Sequence, residues 1–84
     1  MRGFEMFEEV IALLNQIQED TNIPKSVRTD IEWTITALQE NTEDHSMRCD
    51  KSLQKLDDLS NNPNIPSYIR TQLWNVLSML ESAR

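Results

Sequence analysis

The side chains with the most reactive chemistry in this sequence are one histidine and one cysteine, four residues apart. His45 and Cys49 are the only residues of their types, and a spacing of four places both on one face of a helix. Together they could begin a metal site. Because no second pair of ligands completes such a site, we expect His45 to be partly exposed in the first turn of its helix and Cys49 to act as a small core hydrophobe.

Paired acids and phosphate-binding loops are the other signals of catalysis, and both are weak here. Glu8 and Glu9 are neighbours in sequence, as are Asp57 and Asp58, but adjacent residues on a helix point about 100° apart and do not converge on a substrate. A single glycine, Gly3, excludes a Gly-rich phosphate loop. We therefore expect no enzyme, no cofactor and no metal.

A short basic cluster raises the question of nucleic acid. Arg48, Lys51 and Lys55 lie within eight residues, but aspartates interleave with them, and the chain carries a formal charge of −6. A field of this sign repels phosphate backbones, so direct contact with nucleic acid is not expected. The acid excess lies mainly in residues 1–42, where it serves either solubility or the docking of a basic partner.

The elements that carry these residues are predicted to be four helices. Apolar side chains recur at spacings of three and four, and apart from Gly3 the helix breakers are three prolines, at 24, 63 and 66. The apolar stripes are Phe4, Phe7, Val10, Ile11, Leu14 and Ile17, then Val27, Ile31, Ile35 and Leu38, then Cys49, Leu53, Leu56 and Leu59, and finally Ile69, Leu73, Val76, Leu77 and Leu80.

The boundaries of these helices follow from proline and from capping residues. The second helix is predicted to run from Pro24 or Lys25 to Gln39, and the fourth to begin near Pro66, because proline suits the first turn of a helix. Asn41 or Thr42 is predicted to cap the third helix.

The two halves of the chain match at a fixed offset of 42 residues, the separation of Ile23-Pro24 from Ile65-Pro66. Identities at this offset fall at the turn and on the helix faces, where they specify the same bends. The other identical pairs are Leu14 and Leu56, Asn22 and Asn64, Arg28 and Arg70, Thr29 and Thr71, and Leu38 and Leu80.

This repeat predicts an all-α fold with one helical domain over residues 1–84, made of two similar helical hairpins at about 4–40 and 43–82. The hairpins pack either as a HEAT-like pair of repeats or as a four-helix bundle, and the sequence leaves both open. Arg28 and Arg70 follow Pro24 and Pro66 by one turn. We interpret both arginines as structural residues that hydrogen-bond the preceding turn, with anion binding as the alternative.

Three large apolar residues do not fit the stripes. Trp33 lies almost opposite the stripe of its helix, and Trp74 and Met79 lie to either side of theirs. One interpretation is that neighbouring helices sandwich and cover them. The other is an interface that binds a partner or a second copy, because Trp and Met are enriched at contact surfaces.

Several segments of the chain together form a specific pattern. They are 59–66, Arg70-Thr71 and 74–82, with Leu13-Leu14, Glu19-Asp20-Thr21, Ile23-Pro24 and Val27-Arg28 in the first hairpin. In these segments the sequence resembles an archaeal group of short helical proteins, uncharacterised protein family zero-one-four-seven. The resemblance covers nearly the whole chain and is most specific between residues 59 and 82. It implies an all-α fold in an archaeal cytoplasmic protein, and it implies no activity.

The function remains unknown at this point, and the leading hypothesis is a non-enzymatic protein-interaction module of helical-repeat type. Its partner is another protein or a second copy of the chain, as in a homodimer. The alternative is an accessory factor of nucleic-acid or ribosome-associated machinery that acts through protein contacts, and an enzyme ranks third. A lone cysteine and the lack of a long apolar run favour a cytoplasmic protein without a membrane span.

Overall fold

The computed structural model describes residues 2–40 and 44–83, and the side chains of residues 7–40 and 44–82. It contains four helices, and no strand occurs in these ranges, so the all-α prediction is confirmed. None of the helices is long and apolar enough to cross a bilayer within the described residues. The helices are α1 (Arg2–Gln18), α2 (Lys25–Gln39), α3 (His45–Ser60) and α4 (Ser67–Ala83).

The helices form a four-helix bundle. Each packs against two others, and the packed pairs are α1 with α2, α2 with α3, α3 with α4, and α4 with α1. In a stack of HEAT-like repeats, the first helices of the two hairpins would pack together, and so would the second helices. The contact of α1 with α4 instead closes a ring. The bundle alternative is therefore the observed one, and the HEAT-like alternative is not.

The core follows the repeat. Nine buried positions in the first half have a buried counterpart 42 residues later, including Leu14 with Leu56 and Ile31 with Leu73. Most predicted stripe residues are buried, whereas Ile11, Leu53 and Leu77 are half-buried and pack against the core. Phe4 lies outside the residues whose side chains are described. The stripes missed three buried polar residues, Thr34, Ser52 and Ser60.

Two helix starts were predicted from proline, and one cap was predicted wrongly. α2 begins at Lys25 after Pro24, whose extended backbone (φ −61°, ψ 152°) turns the chain into the helix. α3 begins at His45, and its cap is Asp44, whose Oδ1 accepts a hydrogen bond of 2.8 Å from the backbone N–H of Met47. The predicted caps Asn41 and Thr42 lie outside the described residues.

Ser52 is a polar residue at a position that the repeat fills with Val10. It is fully buried, and its Oγ has no hydrogen-bond partner among the described residues. A buried hydroxyl without a partner costs free energy, and alanine has the higher helix propensity. We therefore expect Ser52→Ala to raise the free energy of unfolding by about 1 kcal/mol, as measured by urea denaturation.

Ser60→Ala is the matched control for this prediction. Ser60 is also buried, but its Oγ donates a hydrogen bond of 2.7 Å to the carbonyl of Asp57. Removal of that hydroxyl loses a bond, so Ser60→Ala should give no gain. A loss of stability in Ser52→Ala, or an equal gain in both variants, would contradict the prediction.

Candidate functional site

Two arginines at equivalent positions of the repeat hydrogen-bond to backbone carbonyls at the end of the preceding helix. Arg28 donates from Nε to the carbonyl of Gln18 at 3.1 Å and from Nη2 to that of Asp20 at 3.0 Å. Arg70 makes the same pair of bonds 42 residues later, to Ser60 at 2.8 Å and to Asn62 at 3.0 Å. These carbonyls belong to the helix ends and the turns after them, where partners within the helix are lacking. Both guanidiniums are thus engaged inside the chain.

A third arginine, Arg48, which in the sequence stands out only as part of a basic cluster, plays the same role at the connection between α2 and α3. Arg48 Nη1 donates to the carbonyls of Leu38 at 3.2 Å and of Glu40 at 2.8 Å. In all three cases the arginine is the fourth residue of its helix and reaches carbonyls ten and eight residues earlier. That shared position is the signal that could have revealed the role of Arg48.

The α1–α2 and α3–α4 connections contain the same kind of turn, and α4 contacts the first of these connections. The backbone N–H of Asn22 donates to Asp20 Oδ1 at 2.7 Å, and Asn64 makes the corresponding bond to Asn62 Oδ1 at 2.8 Å. Tyr68, in the first turn of α4, reaches the α1–α2 connection, because its hydroxyl donates to Asp20 Oδ2 at 2.6 Å. These bonds favour the ionised carboxylate: the Tyr68 hydroxyl first, then the Asn22 N–H and the charge of Arg28, hold the pKa of Asp20 below its usual value.

The Tyr68 contact should make stability depend on pH. A carboxyl group whose pKa is lowered by folding stabilises the fold above its unfolded pKa, and that stabilisation disappears as the pH falls through the folded pKa. We expect Tyr68→Phe to melt at a lower temperature than the wild type at neutral pH, with the difference shrinking in strong acid. Melting temperatures of both proteins between neutral pH and strong acid test this.

Asp20→Asn is the control for this pH dependence. Asn62 shows that an asparagine at this position still accepts the turn bond, but it does not titrate. The Asn variant should therefore keep the turn and have a flatter stability profile in acid. A difference between the wild type and Tyr68→Phe that persists unchanged in strong acid would contradict the assignment.

His45 is half-buried in the first turn of α3 and Cys49 belongs to the core, as expected from the sequence. His45 Nε2 lies 3.8 Å from Cys49 Sγ, and the thiol is fully buried. The His45 ring stacks on Phe7 with centroids 4.7 Å apart, and the guanidinium of Arg48 lies 5.4 Å from the centre of the same ring. These side chains border an open cleft of about 310 Å³. The rest of the lining is Glu8, Ile11, Leu38 and Gln39, and the aromatic and cationic groups of the cleft contact one another.

No group of three potential metal ligands gathers within the described ranges. The two acid pairs do not converge on one site. Glu8, Glu9, Asp57 and Asp58 are all exposed on the outer surfaces of α1 and α3. These residues form part of the hydrated surface.

Both tryptophans are exposed, so the interpretation that neighbouring helices cover them is wrong. Trp33 is 45% exposed and Trp74 54% exposed, whereas Met79 is half-buried and packs against the core. A ring of four helices leaves the outer half of each helix open to solvent, and both indoles lie there.

The two tryptophans border the same helix. The ammonium group of Lys55 on α3 lies 5.0 Å from the centre of the Trp33 ring, so Trp33 is on the α3 side of α2. Trp74 follows Arg70 by one turn, and Arg70 reaches the carbonyl of Ser60 on α3. Residues four apart share a helix face, so Trp74 is on the α3 side of α4.

The repeat supports this placement of Trp74. Its counterpart in the first hairpin is Glu32, which accepts a hydrogen bond of 3.1 Å from Gln18 at the end of the preceding helix, α1. Trp74 therefore occupies the position that faces its own preceding helix, α3. We call the outer surface of α3, together with Trp33 and Trp74, the α3 face.

The α3 face carries its positive charges on the side toward α2 and two aspartates on the side toward α4. Arg48, Lys51 and Lys55 form a row on the side toward α2, where Lys55 Nζ also lies 3.9 Å from Asp30 Oδ1. Asp58 continues this row. Asp50 and Asp57 lie on the opposite side of the helix, in one row with the half-buried Leu53, and therefore face α4. We call these the lysine row and the aspartate row, and exposed Met47 and Gln54 lie between them.

The equivalent outer surface of α1, which we call the α1 face, differs from the α3 face in its aromatic and charged residues. The position of Gln54 is taken by Ala12, that of Lys51 by Glu9, and those of Trp33 and Trp74 by Asn75 and Glu32. The 42-residue repeat is therefore preserved at the core positions but not in the residues of these two faces. One side of the bundle carries indoles and both signs of charge, and the other carries acids and amides.

Comparison with known proteins identifies a family. The profile of the Uncharacterised protein family (UPF0147) matches residues 2–83. A UPF0147 protein of Thermoplasma volcanium is 39% identical over 77 residues, covering 92% of this chain and 86% of its own. One from Methanothermobacter thermautotrophicus is 39% identical over 80 residues, covering 95% and 78%. The crystal structure of a UPF0147 protein from Thermoplasma acidophilum is 33% identical and aligns over 100% of both chains with a TM-score of 0.92.

Proposed function

The chain belongs to the uncharacterised protein family UPF0147, whose description assigns no activity, and from that premise we propose that it is a non-enzymatic protein-interaction module that binds protein through the α3 face. The observation that carries the proposal is the exposure of two tryptophans on the two sides of one helix. Binding energy at protein interfaces concentrates in buried Trp, Tyr and Arg side chains.

The contrast between the α3 face and the α1 face supports this choice of surface. If the tryptophans served only the fold, the repeat would be expected to place aromatic residues on both sides. Instead Glu32 and Asn75 fill the equivalent positions beside α1. The two indoles flank the charged rows of α3, and tryptophan is enriched at contact surfaces.

The chemistry of the interior favours binding over catalysis. Cys49 is the most nucleophilic side chain, and it is fully buried beside His45, away from any substrate. The guanidinium groups of Arg28, Arg48 and Arg70 bind backbone carbonyls of the same chain. A single, buried thiol also fits the reducing cytoplasm, which we propose as the location.

Site-specific photo-crosslinking tests the proposal with a matched control. Gln54 lies at the centre of the α3 face, and its repeat counterpart Ala12 lies at the centre of the α1 face, also exposed. A photoreactive amino acid such as benzoylphenylalanine at position 54 should give discrete protein adducts in cells, and the same residue at position 12 should not. The added variant Trp33→Ala, Trp74→Ala should abolish the adducts at position 54.

Equal adducts at positions 12 and 54, or none at position 54, would refute the α3 face as a binding surface. Adducts that survive the loss of both tryptophans would refute the role given to them. The identity of the adducts also tests the alternative function, because ribosomal or transcription proteins at position 54 would favour an accessory role in that machinery.

A further inference from the structure

We propose that the occupant of the α3 face is a second copy of this chain, in a dimer whose twofold axis runs parallel to α3. This inference rests on the function proposed above and names its partner. It is carried by three properties of the α3 face: the arrangement of its charges, the heights of its tryptophans and its area.

Charge complementarity fixes the orientation of the axis. A twofold axis parallel to α3 exchanges left and right, so the lysine row of each copy faces the aspartate row of the other. Because this axis preserves height along the helix, Lys51 then lies opposite the partner's Asp50, twice in the dimer. Asp30 and Asp58 offset part of the lysine row, and the guanidinium of Arg48 is bound by backbone carbonyls of its own chain. Lys51 therefore carries the exposed positive charge of this row, and the charged residues of the facing row are aspartates. An axis perpendicular to α3 would instead place like rows together, which is unfavourable.

The tryptophans meet in the same arrangement. Trp33 is the ninth residue of α2 and Trp74 the eighth of α4, and these two helices run in the same direction. Both indoles therefore lie at nearly the same height along the bundle. The parallel axis brings Trp33 of each copy against the partner's Trp74, where the two rings bury each other's apolar surface.

The available area is sufficient for a dimer of ordinary size. The bundle measures 34 by 20 by 19 Å between Cα atoms, so one long side offers on the order of 700 Å² before side chains are added, near the roughly 800 Å² that each partner buries in a standard interface. A twofold contact also closes on itself. If instead the acidic α1 face of one copy bound the lysine row of another, the copies at both ends would keep one unfilled binding face. Such a contact would build open-ended chains of copies.

Charge reversal with complementation tests the dimer on the purified protein. The wild type should show twice the chain mass of 9.8 kDa by light scattering, and dissociate on dilution. Lys51→Glu and Asp50→Lys each place like charges in both halves of the interface and should raise the dissociation constant about tenfold or more. Mixed together, the two variants pair Glu with Lys in one half and Asp with Lys in the other, so the dimer should return.

Glu9→Lys is the matched control, because Glu9 is the repeat counterpart of Lys51 on the α1 face and its reversal should leave the dimer intact. Circular dichroism confirms that each variant folds. A protein that stays at 9.8 kDa up to millimolar concentration would overturn the dimer, as would a mixture that fails to re-form one. In either case, an adduct to a different protein at position 54 would keep the proposed function, whereas the absence of any adduct would remove both.

Discussion

Replacement of Arg70 by methionine is expected to lower the free energy of unfolding by about 2–4 kcal/mol. Arg70 is half-buried, and its guanidinium joins the carbonyls of Ser60 and Asn62 at 2.8 and 3.0 Å. Methionine keeps much of the apolar packing but leaves both carbonyls without this donor, in a turn that connects α3 to α4. Urea denaturation at a fixed protein concentration measures the loss.

Lysine at position 70 is the informative control. It keeps the positive charge but lacks the planar fork that spans two carbonyls, so Arg70→Lys should recover only part of the loss. Arg28→Met should cost nearly as much as Arg70→Met, because Arg28 makes the same two bonds in the first hairpin. A loss below about 1 kcal/mol in either arginine variant would show that these bonds do not hold the connections.

Leu14→Ala and Leu56→Ala should each destabilise the bundle by about 2–5 kcal/mol, and by similar amounts. Both side chains are fully buried, and they are counterparts in the repeat. Each truncation removes three carbon atoms from a close-packed interior and leaves a cavity that its neighbours fill only in part. Thermal or urea unfolding of the two variants provides the comparison.

The exposed counterparts Gln16 and Asp58 supply the control for the leucine pair. Gln16→Ala and Asp58→Ala should change stability by about 0.5 kcal/mol or less. A large difference between Leu14→Ala and Leu56→Ala would mean that the two halves of the core are not energetically equivalent, in spite of their matching positions.

The connections show what a single sequence can predict. Two of the three bends are predicted by an Ile-Pro pair, Ile23-Pro24 and Ile65-Pro66. The proline forces a helix to restart, and the isoleucine is buried at each bend. The third bend has no such pair, and its cap was assigned to Asn41 or Thr42 rather than to Asp44. Arg48 was missed for the same reason, since only its position as fourth residue in a helix links it to Arg28 and Arg70.

The surface was harder to predict than the core. Helical periodicity places Trp33 away from the stripe of its own helix, but it does not say which helices surround that side. In an extended stack, a neighbour would have covered it, whereas in the closed ring it faces solvent. The choice between stack and bundle depends on whether α1 reaches α4, a contact between distant segments that a local pattern does not encode.

The measurement that tests the central claim most directly is a dilution series of ¹H–¹⁵N NMR spectra of the intact chain. The two indole N–H signals, of Trp33 and Trp74, should shift with concentration together with the amides of Lys51 and Gln54, while the amide of Ala12 on α1 stays fixed. Spectra that do not change between micromolar and millimolar protein, or changes confined to α1, would contradict the assignment of the α3 face as the surface where two copies meet.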